Sequence, residues 1–226
     1  MKTNVLSAVN DKDLQEKWWY DYSGCMDMEP IIQTSASPKR SGWFITRNRF
    51  GALVLNTKNV MFVDVDCIDL GLDNKQKSLE KRKCLSKIKN FLRKQSIDAA
   101  IFETHSGYRV LVTDREVSPN SYEAYGLMML IDADPLYRIL CERQKCYRAR
   151  LNPKPFRIGV PEIVVKEHTV SRKETKEWIS LYNKVSMEYS VCKEVLKPQK
   201  PIERNSIQQI YGLHALYCIN ENKPLA

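Results

Sequence analysis

Hydrophobic and polar positions alternate with two distinct periods along this chain. Val60-Met-Phe-Val-Asp-Val-Asp66 is an apolar run closing on two aspartates one residue apart. Strand geometry sends residues i and i+2 to the same face, so the pattern predicts a β-strand with Asp64 and Asp66 projecting together. Upstream, Gly42-Trp-Phe-Ile45 and Asn48-Arg-Phe-Gly-Ala-Leu-Val-Leu55 read as a pair of strands. Downstream, Leu85, Ile88, Phe91 and Leu92 recur at helical spacing while Lys and Arg fill the opposite face, which predicts a long amphipathic helix. Ala99–Thr104 and Tyr108–Thr113 then read as two strands joined through His105-Ser106-Gly107.

Further elements follow. Ser118-Pro119 is expected to open a helix carrying Leu127, Leu130 and Ile131, with proline at the first position. Asp134-Pro135 should interrupt it, and Leu136–Cys141 forms a second helical piece. Ser171-Arg-Lys-Glu174 has the spelling of a capping box, before a helix with an apolar stripe of Trp178, Leu181, Tyr182, Val185 and Tyr189. A Pro- and Lys-containing linker, 197–204, precedes a last helix over 207–219. Asn10 or Asp11 is placed to cap an N-terminal helix bearing Leu14, Trp18 and Trp19, and a polar loop spans 33–42. The expected organisation is an N-terminal helix and loop (1–40), a core (41–166) and a C-terminal helical extension (167–226). The extension is a candidate docking element for a protein partner.

Two carboxylates on one strand face repel each other unless a cation lies between them. Hard divalent ions such as Mg2+ or Mn2+ take such oxygens, so Asp64 and Asp66 are candidate metal ligands. The plain alternative is that one aspartate caps a turn and the other is solvated. Cys146-Tyr-Arg148-Ala-Arg150-Leu-Asn-Pro-Lys154-Pro-Phe-Arg157 gathers four cations, with Tyr147 and Phe156 interleaved and Pro153 and Pro155 stiffening the segment. Such cations suit a triphosphate or a nucleic-acid backbone, and the aromatics suit base stacking. Here the alternative is a solvated basic loop with its aromatics in the core.

The order of these features resembles the catalytic core of the archaeo-eukaryotic primases, in the primase-polymerase branch. Three stretches carry the resemblance: the Asn48–Leu55 approach, the Val63–Asp66 strand, and Thr104-x-Ser106-Gly107 after the intervening helix, similar to the family's Thr-x-Ser-Gly-Gly-x-His motif. It spans roughly residues 40 to 165. It implies an α+β fold, an RRM-like antiparallel sheet core with flanking helices on one face, and metal-dependent nucleotidyl transfer on a nucleic-acid template. On that reading Asp64, Asp66 and Glu162 are the catalytic acids, with Asp114 the second choice for the third. Ser106, Arg109, Arg148, Arg150, Lys154 and Arg157 bind nucleoside-triphosphate or nucleic-acid phosphates. The family's motif histidine is missing: Tyr108-Arg109-Val110 stands there, with Arg109 as its substitute for a phosphate contact. The competing expectation is a catalytically inactive nucleic-acid or nucleotide-binding module on the same fold, acting as a subunit of a replication or defence complex.

Composition narrows the frame. The chain has 226 residues, 43% hydrophobic and 28% charged, enough for a packed core. A net charge of +9 favours a polyanionic partner. Seven scattered cysteines do not look like a disulfide framework. With no signal-peptide pattern and no apolar run of about 18 residues, a reducing cytoplasm and no membrane association are expected. Cys141-x4-Cys146 is spaced too widely for a usual zinc pair. Asp132-Ala-Asp134 repeats the acidic spelling but reads as a helix end. A serine hydrolase lacks its nucleophile context, and a haloacid-dehalogenase-type phosphatase would carry its acidic strand near the start of the domain.

Overall fold

The computed structural model describes residues 29–35, 42–67, 73–166 and 168–226, so the expected N-terminal helix and the middle of the 33–42 loop lie outside the described residues. Eight strands are described: β1 (Ile31–Thr34), β2 (Trp43–Arg47), β3 (Leu53–Thr57), β4 (Phe62–Asp66), β5 (Ala99–Thr104), β6 (Gly107–Val112), β7 (Tyr147–Arg150) and β8 (Cys192–Leu196). Five α-helices accompany them: α1 (Asn74–Lys94), α2 (Tyr122–Leu130), α3 (Pro135–Gln144), α4 (Lys173–Ser186) and α5 (Asn205–Cys218). The class is α+β. The strands divide into two four-stranded antiparallel sheets, β1-β2-β3-β7 and β4-β6-β5-β8, rather than one. The sheets approach each other along β4 and β7.

The acidic strand forms as its alternation requires. Val63 and Val65 are buried, while Asp64 is half-buried and Asp66 exposed. In β6, Arg109 lies directly opposite Asp64 and Gly107 opposite Asp66. α1 starts on a complete capping box, in which the Asp73 side chain accepts from Gln76 N–H and the Gln76 side chain accepts from Asp73 N–H. Its stripe enters the core through Ile88 and Leu92, 1% and 5% exposed; each contributes roughly 1.5–3 kcal/mol by burial.

Helices cover both faces of the second sheet, not one. The His214 ring of α5 lies over Phe62 and Phe102, at 5.3 and 4.5 Å between centroids. α1 reaches the opposite face, where Lys81 Nζ meets Glu103 Oε1 at 2.7 Å, since Glu103 and Phe102 point to opposite sides of β5. The segment after residue 167 also adds β8 to this sheet, beside β5.

Three local expectations shift. α2 is capped by Ser121, whose hydroxyl accepts from Ala124 N–H, and Ser118-Pro119 forms the turn before it. α4 begins at Lys173 without a capping side chain, because a turn built on Lys166 and Thr169 carries the chain past Ser171. In its stripe Tyr182 is buried with Trp178 stacked on it at 4.9 Å, but Leu181 is 49% exposed. Cys67 and Cys84 form a disulfide joining the end of β4 to α1, a crosslink that the scattered cysteine spacing does not reveal. No helix among the described residues is long and apolar enough to cross a membrane.

The β5–β6 hairpin turns on His105-Ser106, and the Thr104 hydroxyl accepts from Gly107 N–H at 3.2 Å. A Cβ at Gly107 would stand 2.0 Å from the Val65 carbonyl oxygen and 3.0 Å from Asp66 Cα, both backbone atoms that cannot step aside. Gly107→Ala is therefore expected to part β4 from β6 and cost about 1–3 kcal/mol or more. Urea unfolding checks this; an unchanged midpoint would mean that the strand ends have room to spare.

Candidate active site

Where β4 ends, a cleft of about 220 Å³ is lined by Asp64, Asp66, Asp134, His105, Ser106, Arg150, Lys154 and Arg157. Five segments build it. β4 supplies Asp64 and Asp66; the β5–β6 turn supplies His105 and Ser106; β7 supplies Arg150. A short 3-10 helix, Pro155–Ile158, with the residue before it, supplies Arg157 and Lys154. Arg157 Nη2 donates to the Ser106 hydroxyl at 2.8 Å and so fastens that helix to the hairpin.

Asp134 arrives from elsewhere in the sequence. Its backbone N–H donates to the Asp64 carbonyl at 3.0 Å, and its carboxylate accepts from Tyr137 N–H as the N-cap of α3. Asp132-Ala-Asp134 is thus a helix end, as the sequence suggests, and it also delivers an acid to the cleft. Pro135 at the first helical position holds it there. Glu162 is exposed on the coil beyond the 3-10 helix and does not line the cleft. Asp114 accepts from Asp98 N–H at the other end of the sheet.

Arg109 is not presented to solvent. It is 2% exposed, and its fork grips Asp64: Nε to Oδ1 at 2.7 Å and Nη2 to Oδ2 at 3.2 Å. Nη1 donates to the Arg150 carbonyl at 3.0 Å and lies 3.2 Å from His214 Nε2. Burial alone would lower the pKa of this guanidinium, but the Asp64 carboxylate more than reverses that and holds it above its ordinary value. Arg148 turns away from the cleft to Glu29, its Nη2 donating to both carboxylate oxygens at 2.7 Å. Tyr147 is fully buried, whereas Phe156 stays 59% exposed with Lys154 and Arg157 near its ring.

The electrostatics of the cleft run in two directions. The Asp66 carboxyl is pushed above its ordinary pKa by partial burial and by Asp134 and Asp64, against a smaller opposing pull from Lys154 and Arg157. Arg150 falls to about 10 through burial and the neighbouring Arg109 charge. Lys154 and Arg157 are also lowered, chiefly by burial. His105 is lowered by burial and then by Arg157, Lys81, Lys154 and Lys77. Acids crowd acids and cations crowd cations, within one small volume.

A second cluster lies behind Arg109. Among the described residues, Cys192, His214 and Cys218 are the group of three whose ligand atoms all come within 4.8 Å of one another, and all three are buried. Sulfur donors suit softer metals than Mg2+. Burial opposes ionisation of Cys218, but its contacts with Cys192 and His214 and the Arg109 charge bring it well below the ordinary thiol value; the hydrogen bond with Cys218, and burial, hold Cys192 up. His214-x3-Cys218 was legible as an i, i+4 pair on one helix face, while its partner on β8 was not. Cys141 and Cys146 are buried and lie outside the disulfide. No family model, curated protein or solved structure matches this chain.

Asp64→Asn leaves the buried Arg109 charge without its counter-ion, so we expect a loss of about 3 kcal/mol, the low end for breaking a buried pair because Asp64 keeps part of its surface in water. Asp66→Asn should show no such loss in the same denaturant titration; equal behaviour of the two variants would contradict the pair's structural role. Because the Asp66 pKa is raised in the folded state, its ionisation costs nothing below its unfolded value of about 3.9, begins to cost stability as pH rises past that value, and costs the full amount above the folded value. Asp66→Asn should therefore melt slightly higher than the parent at pH 7, by less than about 1 kcal/mol given its exposure, and equally at pH 3. Thermal melts at both pH values check the sign.

Proposed function

We propose that this chain is a metal-dependent nucleotidyl transferase of the primase-polymerase type, acting on a nucleic-acid template, with an RRM-like organisation of the sheet that carries the site. The observation that carries the reading is geometric: Asp66 and Asp134, which form no ion pair among the described residues, converge in one cleft with Arg150, Lys154 and Arg157. A divalent ion together with a polyphosphate suits both sets of charges at once. The volume supports phosphates more than a whole nucleotide, since about 220 Å³ falls below the roughly 300–1,000 Å³ of pockets that enclose complete ligands. Sugar and base would lie outside, within reach of the exposed Phe156 face.

In this reading Asp66 and Asp134 hold Mg2+ or Mn2+, and Asp64 adds whatever lone pairs Arg109 leaves open. The ion, when bound, neutralises the triphosphate and activates a 3′-hydroxyl. Lys154, Arg157 and Arg150 bind phosphate oxygens, and Ser106 orients Arg157. Arg109 acts as a positioning residue that fixes Asp64. The second reading, a binding module without catalysis, is favoured by that same fork, because Arg109 occupies both oxygens of Asp64.

The test is binding of a fluorescent nucleoside triphosphate with and without Mn2+. Asn retains N-capping at position 134, so Asp66→Asn/Asp134→Asn removes charge while sparing α3. We expect Mn2+-dependent binding in the parent and at least about a tenfold loss in the variant, 1.4 kcal/mol or more. A folded parent with no metal-dependent binding would select the binding module.

A further inference from the structure

We infer that the solvent face of α1 is a docking surface for the phosphate backbone of a nucleic-acid duplex, continuous with the cleft. Over Asn74–Lys94 the helix carries nine cations (Lys75, Lys77, Lys81, Arg82, Lys83, Lys87, Lys89, Arg93 and Lys94) and one acid, Glu80. Nine less one leaves +8 on this helix, out of +9 for the whole chain. The basic character of the protein is therefore a property of one element.

This charge works against the helix that bears it. Lys77 and Lys81, Lys83 and Lys87, and Lys89 and Arg93 are like-charged pairs at i, i+4, an arrangement that destabilises a helix. The first turn has no acid and carries Lys75 and Lys77, against the helix dipole. Among the described residues only two of the nine cations form ion pairs, Lys83 with Glu80 and Lys81 with Glu103. Arg93 and Lys94 suit the dipole at the last turn, but seven of the nine cations form no ion pair among the described residues, and such a row is complementary to a polyanion.

Geometry selects the form of the partner. Twenty-one residues make a rod of about 31 Å, and a duplex presents one phosphate charge per about 1.7 Å of axis along such a length. α1 offers no exposed aromatic to stack a base, because Phe91 packs on the core, so a single strand read through its bases is not what the face suits. The track reaches the cleft through Lys81, whose Nζ donates to the Thr104 carbonyl at 2.9 Å, one residue before the His105-Ser106 turn. The inference shares with the proposed function only the class of partner.

The experiment is fluorescence anisotropy with a labelled duplex of about 20 base pairs, roughly 68 Å and so about twice the length of the rod, across a salt series. It compares the parent with Lys75→Gln/Lys83→Gln/Lys87→Gln/Lys89→Gln, four positions outside the cleft. We expect salt-dependent binding by the parent. In the variant the salt slope should be smaller by about 0.9 for each phosphate that is no longer neutralised, with affinity down at least tenfold. The variant should melt no lower than the parent without nucleic acid, which separates a weakened phosphate track from a failure to fold. Its Mn2+-dependent triphosphate binding should be unchanged. Unaltered affinity and slope in the folded variant would overturn the inference, as would a parent that binds no duplex at low salt. Failure of triphosphate binding alone would instead count against the proposed function.

Discussion

A single guanidinium, that of Arg109, joins most of what this fold brings together. Two of its nitrogens grip Asp64 on the neighbouring strand, and the third reaches the Arg150 carbonyl of the other sheet and the His214 ring of α5. Only arginine can do this. Its planar fork is always charged and directs several donors at fixed angles, where a lysine would offer a point charge on a flexible stem. The acid nearest the core is consequently a structural element as well as a site residue. Its charge is already committed to a buried partner before any ligand arrives.

That commitment shapes the cleft in front of it. With Asp64 engaged, Asp66 and Asp134 are the carboxylates still facing solvent-filled space, and Arg150, Lys154 and Arg157 are held together across from them. Several mutually repelling groups of each sign persist in one place because rigid supports hold them: a strand end, a proline-started helix, and a 3-10 turn clamped to Ser106. Behind Arg109, the Cys192–His214–Cys218 cluster carries the same polar thread into the core.

Periodicity made the local elements legible. The two aspartates on one face of β4, the amphipathic α1, the β5–β6 hairpin and the cap at Asp134 all follow from spacing and turn chemistry. The pairing of elements was not legible. Arg109 reads as an exposed phosphate ligand until β6 is registered against β4, and that register places it across from Asp64. In sequence Glu162 reads as the third acid and Asp134 only as a helix end; the close approach of the α3 cap to β4 is what brings Asp134 into the cleft. Tyr147 and Phe156 look alike as stacking residues, yet the alternation of β7 buries the first, while the 3-10 turn leaves the second exposed. The division into two sheets likewise depends on which strands meet, which hydrophobic pattern alone does not encode.

The Cys67–Cys84 bond closes the seventeen-residue separation between the acidic strand end and the basic helix into a covalent ring. While that bond is intact, a backbone cut anywhere inside the ring leaves a single molecule, with the acidic strand still tied to the basic helix. Residues can also be gained or lost within the ring without altering how far Asp66 stands from the crosslink, one position along the chain.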